Sequence, residues 1–241
     1  SGTFDVIAAR RVFGAAVDEN FPFSAFVSKT ITLEPRLGNP PPRLFETPAG
    51  LINSIGLPNR GVVGYLEHDL PELATLPVPL ITNVMGSDAD EVGQLFEALE
   101  PCDEIAAIEL NVSCPNVKTG LDIGADPAEL SKLLAVVRPK TSKPLIVKLT
   151  PNTANVALVA GAAEASGADA VSLINTLRAF AADPTAPGKA WLGGGTGGQS
   201  GPAIRSVALA QTSAVAAAIE LPIIAMGGIA NAANGRQFLD A

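Results

Sequence analysis

Apolar residues fall into short dense runs separated by longer stretches with helical spacing, and from residue 78 onward the two kinds alternate. Val78–Asn83, Ile105–Asn111, Leu145–Leu149, Ala170–Ile174 and Pro222–Met226 read as buried strands. Asp88–Leu99, Asp126–Val137, Thr153–Ser166, Pro202–Ile219 and Asn231–Ala241 read as helices between or after them. Asp88 and Asp126 stand at N-cap positions, Pro127 suits the first helical position, and Leu130, Leu133 and Leu134 share one face. Gly167 closes the helix that precedes it.

Upstream the alternation is less regular. Ser24–Ser28 reads as a sixth strand, ending at Lys29-Thr30. Leu33–Gly50 is too rich in proline and glycine for a helix interior. It predicts an ordered excursion with a short hairpin, running on through Leu51–Arg60, so that residues 33–60 form an active-site insertion. His68 lies in a helical stretch and reads as a surface residue.

Repeated strand–helix units imply a parallel sheet with right-handed crossovers. Six strands fit either part of an eight-stranded barrel or an open doubly wound sheet. Lys29, Asn83, Asn111, Lys148, Asn175 and Gly227 each sit at or just past the C-terminal end of a different strand. A barrel brings such positions to one mouth, whereas an open sheet spreads them along a line.

With 241 residues, 47% of them hydrophobic and 17% charged, the chain suits one domain spanning 1–241 with a large core, and argues against disorder. A net charge of −8 disfavours nonspecific binding to nucleic acid or anionic membrane. No apolar run reaches membrane-spanning length. Two cysteines make a poor disulfide framework, which points to a reduced, cytoplasmic setting. One histidine and two cysteines supply neither a His-rich metal site nor the ligands of an iron–sulfur cluster, so no metal is expected.

The candidate chemistry clusters after Ile105–Leu110, where Asn111, Ser113, Cys114 and Asn116 follow within six residues. A thiol in a polar loop can serve as a base when its pKa lies near the working pH, while Cys102 reads as a small buried hydrophobe. Ser113 is a second candidate base, but has no nearby His in sequence. Asn53, Asn111, Asn116 and Asn175 offer donors and acceptors to a planar ligand, though any one alone suits a turn. Lys29 and Lys148 each end an apolar strand, where a buried ammonium calls for an anionic partner. Gly193–Gly201 and Gly227-Gly228 precede helices, as in phosphate sites at helix N-termini. No G-x-G-x-x-G follows an expected strand and no G-x-x-x-x-G-K-[ST] occurs, which argues against a Rossmann site or a P-loop.

Taken in order, NVSCPN, PLIVKLTPN, GADAVSLINT, GGTGGQSGPAIR and LPIIAMGGI resemble the dihydroorotate dehydrogenase family, most closely its class 1B catalytic subunit. The resemblance implies a TIM (β/α)8 barrel whose first strand and last β–α unit are missing from this chain, and hence open edges at Ser24–Ser28 and Pro222–Met226. It implies FMN-dependent oxidation of (S)-dihydroorotate to orotate in pyrimidine biosynthesis, with Cys114 as base and Lys148 near the electron-rich edge of the flavin. Substrate contacts are implied for Lys29, Asn53, Ser54, Ile55, Gly56, Leu57, Asn111, Asn116, Asn175 and Thr176. Cofactor contacts are implied for Ser1, Lys29, Thr30, Asn83, Asn111, Lys148, Ile174, Gly201, Gly227 and Gly228. It further implies a homodimer and an electron-transfer subunit carrying FAD and a 2Fe–2S cluster, with NAD as final acceptor. The run Leu192–Gly198 departs from the family's usual Asn or Lys residues. A dihydropyrimidine dehydrogenase-like reductase and a non-catalytic flavin-binding fragment remain as alternatives.

Overall fold

A computed structural model describes residues 6–14, 16–19, 21, 23–113 and 123–241. Its ten strands are β1 (Phe26–Val27), β2 (Leu44–Thr47), β3 (Gly50–Asn53), β4 (Leu80–Val84), β5 (Ile105–Asn111), β6 (Leu145–Lys148), β7 (Ala170–Leu173), β8 (Leu177–Ala179), β9 (Gly197–Ser200) and β10 (Ile223–Ala225). Six form one sheet in the order β1-β4-β5-β6-β7-β10, and every neighbouring pair is parallel. The order never reverses. A doubly wound sheet needs a reversal to place helices on both faces; a sheet wound one way curls into a barrel wall. Among the described residues β1 and β10 are its two edges.

The helices form the outer layer through the expected spacing. Ala89–Leu99 buries Val92, Leu95, Phe96 and Leu99, and Pro127–Val137 buries Leu130, Leu133, Leu134 and Val137. Both sets follow i, i+3, i+4, i+7, the stripe a helix turns toward a sheet. The side chains of Asp88 and Asp126 accept from the backbone N–H groups of the first turn, as read from the sequence. Most other boundaries shift by one to three residues, and three differences are instructive. The helix expected from Thr153 begins at Val156 under an Asn155 cap, because that side chain accepts from Ala157 and Leu158. The helix expected from Pro202 opens with a 3-10 turn, Pro202–Ile204, before Arg205–Ala216. The ladder expected over Ser24–Ser28 shrinks to Phe26–Val27.

Helical structure at Val6–Phe13 and Ala16–Glu19 was not anticipated, and the stretch around His68 extends from Gly61 to Leu73 with a π-helical middle. This segment is tied to β4 by Tyr65, whose hydroxyl meets Thr82 Oγ1 at 2.7 Å. Burial pushes the Tyr65 phenol up to about 12. His68 is exposed, as expected.

The proline-rich excursion contains the expected hairpin, β2–β3, but does not stand alone. β9 pairs with β3, and β8 with β9, giving a second, antiparallel sheet in the order β2-β3-β9-β8. β8 begins four residues after Leu173 ends β7, so this small sheet is rooted at the C-terminal end of the large one. Ile52, Ala181 and Leu192 form its own buried cluster, with Phe45 and Trp191 against it.

Glu100, at the end of helix Ala89–Leu99, clamps the loop before β6. Its carboxylate accepts from Ser142 Oγ at 2.5 Å, Thr141 Oγ1 at 2.5 Å and Ser142 N at 2.9 Å. These bonds, Ser142's first, hold its carboxyl down to about 2, from an ordinary 4.5. A depressed folded-state pKa contributes stability above the unfolded value and loses it as pH falls through the folded one. Thermal melts should therefore show stability declining from pH 4.5 toward pH 2. Glu100→Gln should flatten that limb; an unchanged slope would remove the clamp from the acid response.

Candidate active site

Strand alternation sorts the large sheet into two faces. Thr82, Ile108, Leu110, Leu145, Val147, Val171 and Leu173 fall on one face, and all but Thr82 join the core cluster that also holds the buried residues of the helices. The opposite face carries Ile81 and Asn83 on β4, Ala107, Glu109 and Asn111 on β5, Ile146 and Lys148 on β6, and Ala170 and Ser172 on β7. Along each strand this inner face runs from apolar to polar toward the C-terminal end. The polar upper layer is the floor of a barrel mouth.

Most of this layer is buried. Asn83 and Ser172 are fully so, Glu109 is 2% exposed, Lys148 4% and Asn111 8%. Glu109 was not singled out from the sequence. Its carboxylate accepts from the Asn83 side-chain amide on one oxygen and from Ser172 Oγ, at 2.7 Å, on the other. Asn83 Oδ1, the remaining end of that amide, is buried with no partner among the described residues. Lys148 lies level with Asn111 and Ser172 in the ladder.

Above this floor the predicted amides come together in part. Asn175 Nδ2 donates to Asn111 Oδ1 at 3.3 Å and to Ser113 Oγ at 2.8 Å, while Ser113 N also donates to Asn111 Oδ1 at 3.2 Å. Asn175 Oδ1 accepts from Thr176 N at 2.8 Å. Asn53 approaches from the small sheet, donating to Gly198 O at 3.1 Å. Thr176 stands against the same glycine: a Cβ at Gly198 would lie 1.9 Å from Thr176 Oγ1. Ser54 is buried and accepts from Asn39 Nδ2 at 2.9 Å. Ile55, Gly56 and Leu57 follow, with Gly56 and Leu57 both at positive φ.

Lys29 corrects an expectation. The sequence places it at a buried strand end, yet it is exposed, because among the described residues β1 is an edge of the sheet. With Ser28, Asn59, Arg60 and Tyr65 it lines a cavity of about 350 Å³ between β1 and the helical segment from Gly61. Apart from Lys29 itself, none of the expected site residues lines that cavity, so the hydrogen-bonded layer, not cavity size, marks the site. Thr30 is buried beside it. Cys114, Asn116 and Ser1 lie outside the described residues.

The glycine clusters divide. Gly197–Ser200 is a paired strand rather than a turn. Gly201, just before the 3-10 turn, meets Gly228: a Cβ at Gly228 would lie 2.7 Å from Gly201 O, and Gly228 has a φ of +70°. Gly227 packs against Ile174, whose N–H donates to Met226 O at 3.0 Å. Gly201 and Gly228 thus meet near the start of helix Arg205–Ala216, with Gly227 next to them, and at each the surroundings are too close for a Cβ. Such a place suits a phosphate.

Six parallel strands wound in one direction, with a polar inner layer at their C-terminal ends, define an α/β-barrel enzyme with its site at the mouth. A family description, Dihydroorotate dehydrogenase, matches residues 12–241. The dihydroorotate dehydrogenase B (NAD(+)) catalytic subunit of Desulforamulus reducens is 46% identical over 240 residues, covering 99% of this chain and 77% of the relative. That of Bacillus pumilus is 46% identical over 212 residues, covering 88% and 68%. The chain belongs to the dihydroorotate dehydrogenase family, a family of oxidoreductases. A solved structure of the enzyme from Eimeria tenella, bound to ferulenol, superposes with a TM-score of 0.71 at 20% identity, covering 90% of this chain and 66% of that one, and agrees with the barrel fold. Among the described residues no helix is long and apolar enough to cross a membrane.

Proposed function

We propose that this chain oxidises (S)-dihydroorotate to orotate with bound FMN, as a catalytic subunit in pyrimidine biosynthesis. The observation that carries the reading is the Asn111–Asn175–Ser113 cluster above a floor holding Lys148. It offers amide donors and acceptors beside a cation, which suits a ring bearing imide and carboxylate groups. The names of the relatives, as NAD-linked catalytic subunits, support the substrate and a partner subunit.

The residues present fit FMN at two points: the glycine cradle of Gly201, Gly227 and Gly228 for its phosphate, and the unpartnered Asn83 Oδ1 for a ring N–H. Thr30, Asn111, Lys148 and Ile174 complete the assignment around the ring, with Lys29 at its margin, and the family resemblance adds Ser1. When bound, FMN supplies a two-electron acceptor that no side chain provides. The chain's own part is to bind, orient and move a proton. Asn53, Asn111, Asn116 and Asn175 hold the substrate ring, with Ser54, Ile55, Gly56, Leu57 and Thr176 shaping its surroundings. Cys114 takes the proton from the ring carbon beside the carbonyl. Lys148 offers positive charge where negative charge develops. A homodimer, and a partner subunit with FAD and a 2Fe–2S cluster passing electrons to NAD in the cytoplasm, complete the reading.

Orotate titrated into the FMN-loaded protein should perturb the flavin spectrum. Asn175→Ala should weaken that binding by about 1–3 kcal/mol, the cost of leaving a bound ring's polar edge without its hydrogen-bonding partner, with flavin content little changed. Turnover of dihydrouracil in preference to dihydroorotate would favour the dihydropyrimidine dehydrogenase-like alternative. An orotate-insensitive flavin would remove the substrate assignment.

A further inference from the structure

Glu109 is a carboxylate in the middle of an apolar strand, 2% exposed, with both oxygens engaged. A buried carboxyl group of this kind is costly unless its oxygens are satisfied. Its two donors come from different strands, Asn83 on β4 and Ser172 on β7, so it reaches across the floor of the mouth. The arrangement decides something about Asn83. An Asn side chain has one donating end and one accepting end, and only the donating end can face a carboxylate. With Nδ2 committed to Glu109, Oδ1 turns away from β5. It is screened from solvent and meets no donor among the described residues. A fully buried, unpaired carbonyl is an expensive feature to keep without use.

We infer that Glu109 is a positioning residue that fixes the Asn83 amide in one of its two orientations, so that Oδ1 is reserved for a ring N–H of the ligand in the mouth. The inference rests on the FMN reading above. Oxidised flavin carries a single ring N–H, on the nitrogen between its two carbonyls, and that is the group Oδ1 selects. Glu109 itself touches neither cofactor nor substrate. Were its carboxylate replaced by an amide, Asn83 could turn its oxygen toward residue 109 and present Nδ2 to the ligand, donor against donor.

The test compares binding of FMN with binding of its N3-methyl derivative, read by quenching of flavin fluorescence on the purified protein. The wild type should prefer FMN by about 10–100-fold, the range one hydrogen bond in a buried site provides. Glu109→Gln should bring that preference below about 3-fold, mainly by weakening FMN, with N3-methyl-FMN nearly unaffected. In an Asn83→Ala background Glu109→Gln should change the preference no further, because it acts through that amide. Ser172→Ala removes one donor from the carboxylate and should lower the preference roughly 3-fold. It supplies the answer where Glu109→Gln does not fold, as judged by circular dichroism. A purely structural role would weaken both flavins alike and leave the preference intact. Failure of the wild type to bind either flavin overturns the proposed function. Tight FMN binding with no preference over the N3-methyl form, or a preference that survives both Glu109→Gln and Ser172→Ala, overturns the role of Glu109 and leaves the proposed function standing.

Discussion

Cys114→Ala should bind FMN normally and yet lose about 10²–10⁴-fold of its dihydroorotate oxidation at neutral pH, the contribution a positioned general base makes. The residue stands three positions beyond Asn111, which closes β5 in the polar layer. A proton bound to carbon beside a carbonyl leaves slowly without a base, and a thiolate is a competent one when its pKa lies near the working pH. The other cysteine does not serve: Cys102 is half-buried beyond helix Ala89–Leu99, and burial raises its thiol. Cys114→Ser should retain a fraction of the activity that grows with pH, because a hydroxyl loses its proton far less readily. Stopped-flow flavin reduction across pH 6–10 separates these outcomes. An alanine variant that reduces its flavin at the wild-type rate would exclude Cys114 from the chemistry.

Lys148→Ala should cost about 10²–10³-fold in the same reductive step, the effect of deleting one preorganised charge stabiliser. Lys148 is the last residue of β6 and 4% exposed, so its ammonium is held within the inner layer rather than waving in solvent. Lysine and arginine are not equivalent here. A planar guanidinium asks for more room and a different fork of donors, so Lys148→Arg should recover little. The measurement is the rate of flavin reduction at saturating dihydroorotate, with bound flavin quantified separately. Retained flavin with a slow reductive step is the expected pair of results. Loss of flavin with an unchanged rate per bound flavin would make Lys148 a binding residue only.

The parts of this site that could be read from the sequence are those that regular elements carry. The strand Ile105–Asn111 matches its expected bounds, because a continuous apolar run between two polar stretches has few other uses. The leucines of Pro127–Val137 face inward for the same kind of reason. From these followed the positions of Asn83, Asn111, Lys148 and Asn175 at strand ends. β9 escaped notice because Gly197-Gly198-Gln199-Ser200 contains no apolar residue at all. It is a strand because β3 offers it an edge, and Gly198 leaves room for Thr176. Neither fact is local. The exposure of Lys29 is not legible locally, because burial at a strand end depends on neighbours on both sides, and β1 has a described neighbour on one. Glu109 did carry a signal, a carboxylate inside an apolar strand, which the apolar run around it masked. Its meaning lies in Asn83 and Ser172, which are 26 and 63 residues away.

The pairing of β3 with β9 also bears on when the site comes into being. Asn53 is held by Gly198, 145 residues later in the chain. On a ribosome adding about 5–20 residues per second, that interval lasts roughly 7–30 s. Throughout it the hairpin β2–β3 exists with one flank unoccupied, and β4, β5, β6 and β7 emerge and can pair before its partner does. Five of the six wall strands, all but β10, therefore leave the ribosome before the sheet that shapes the substrate's side of the mouth is complete, and a nascent chain stopped short of residue 197 would have the floor of the site without Asn53 in its place.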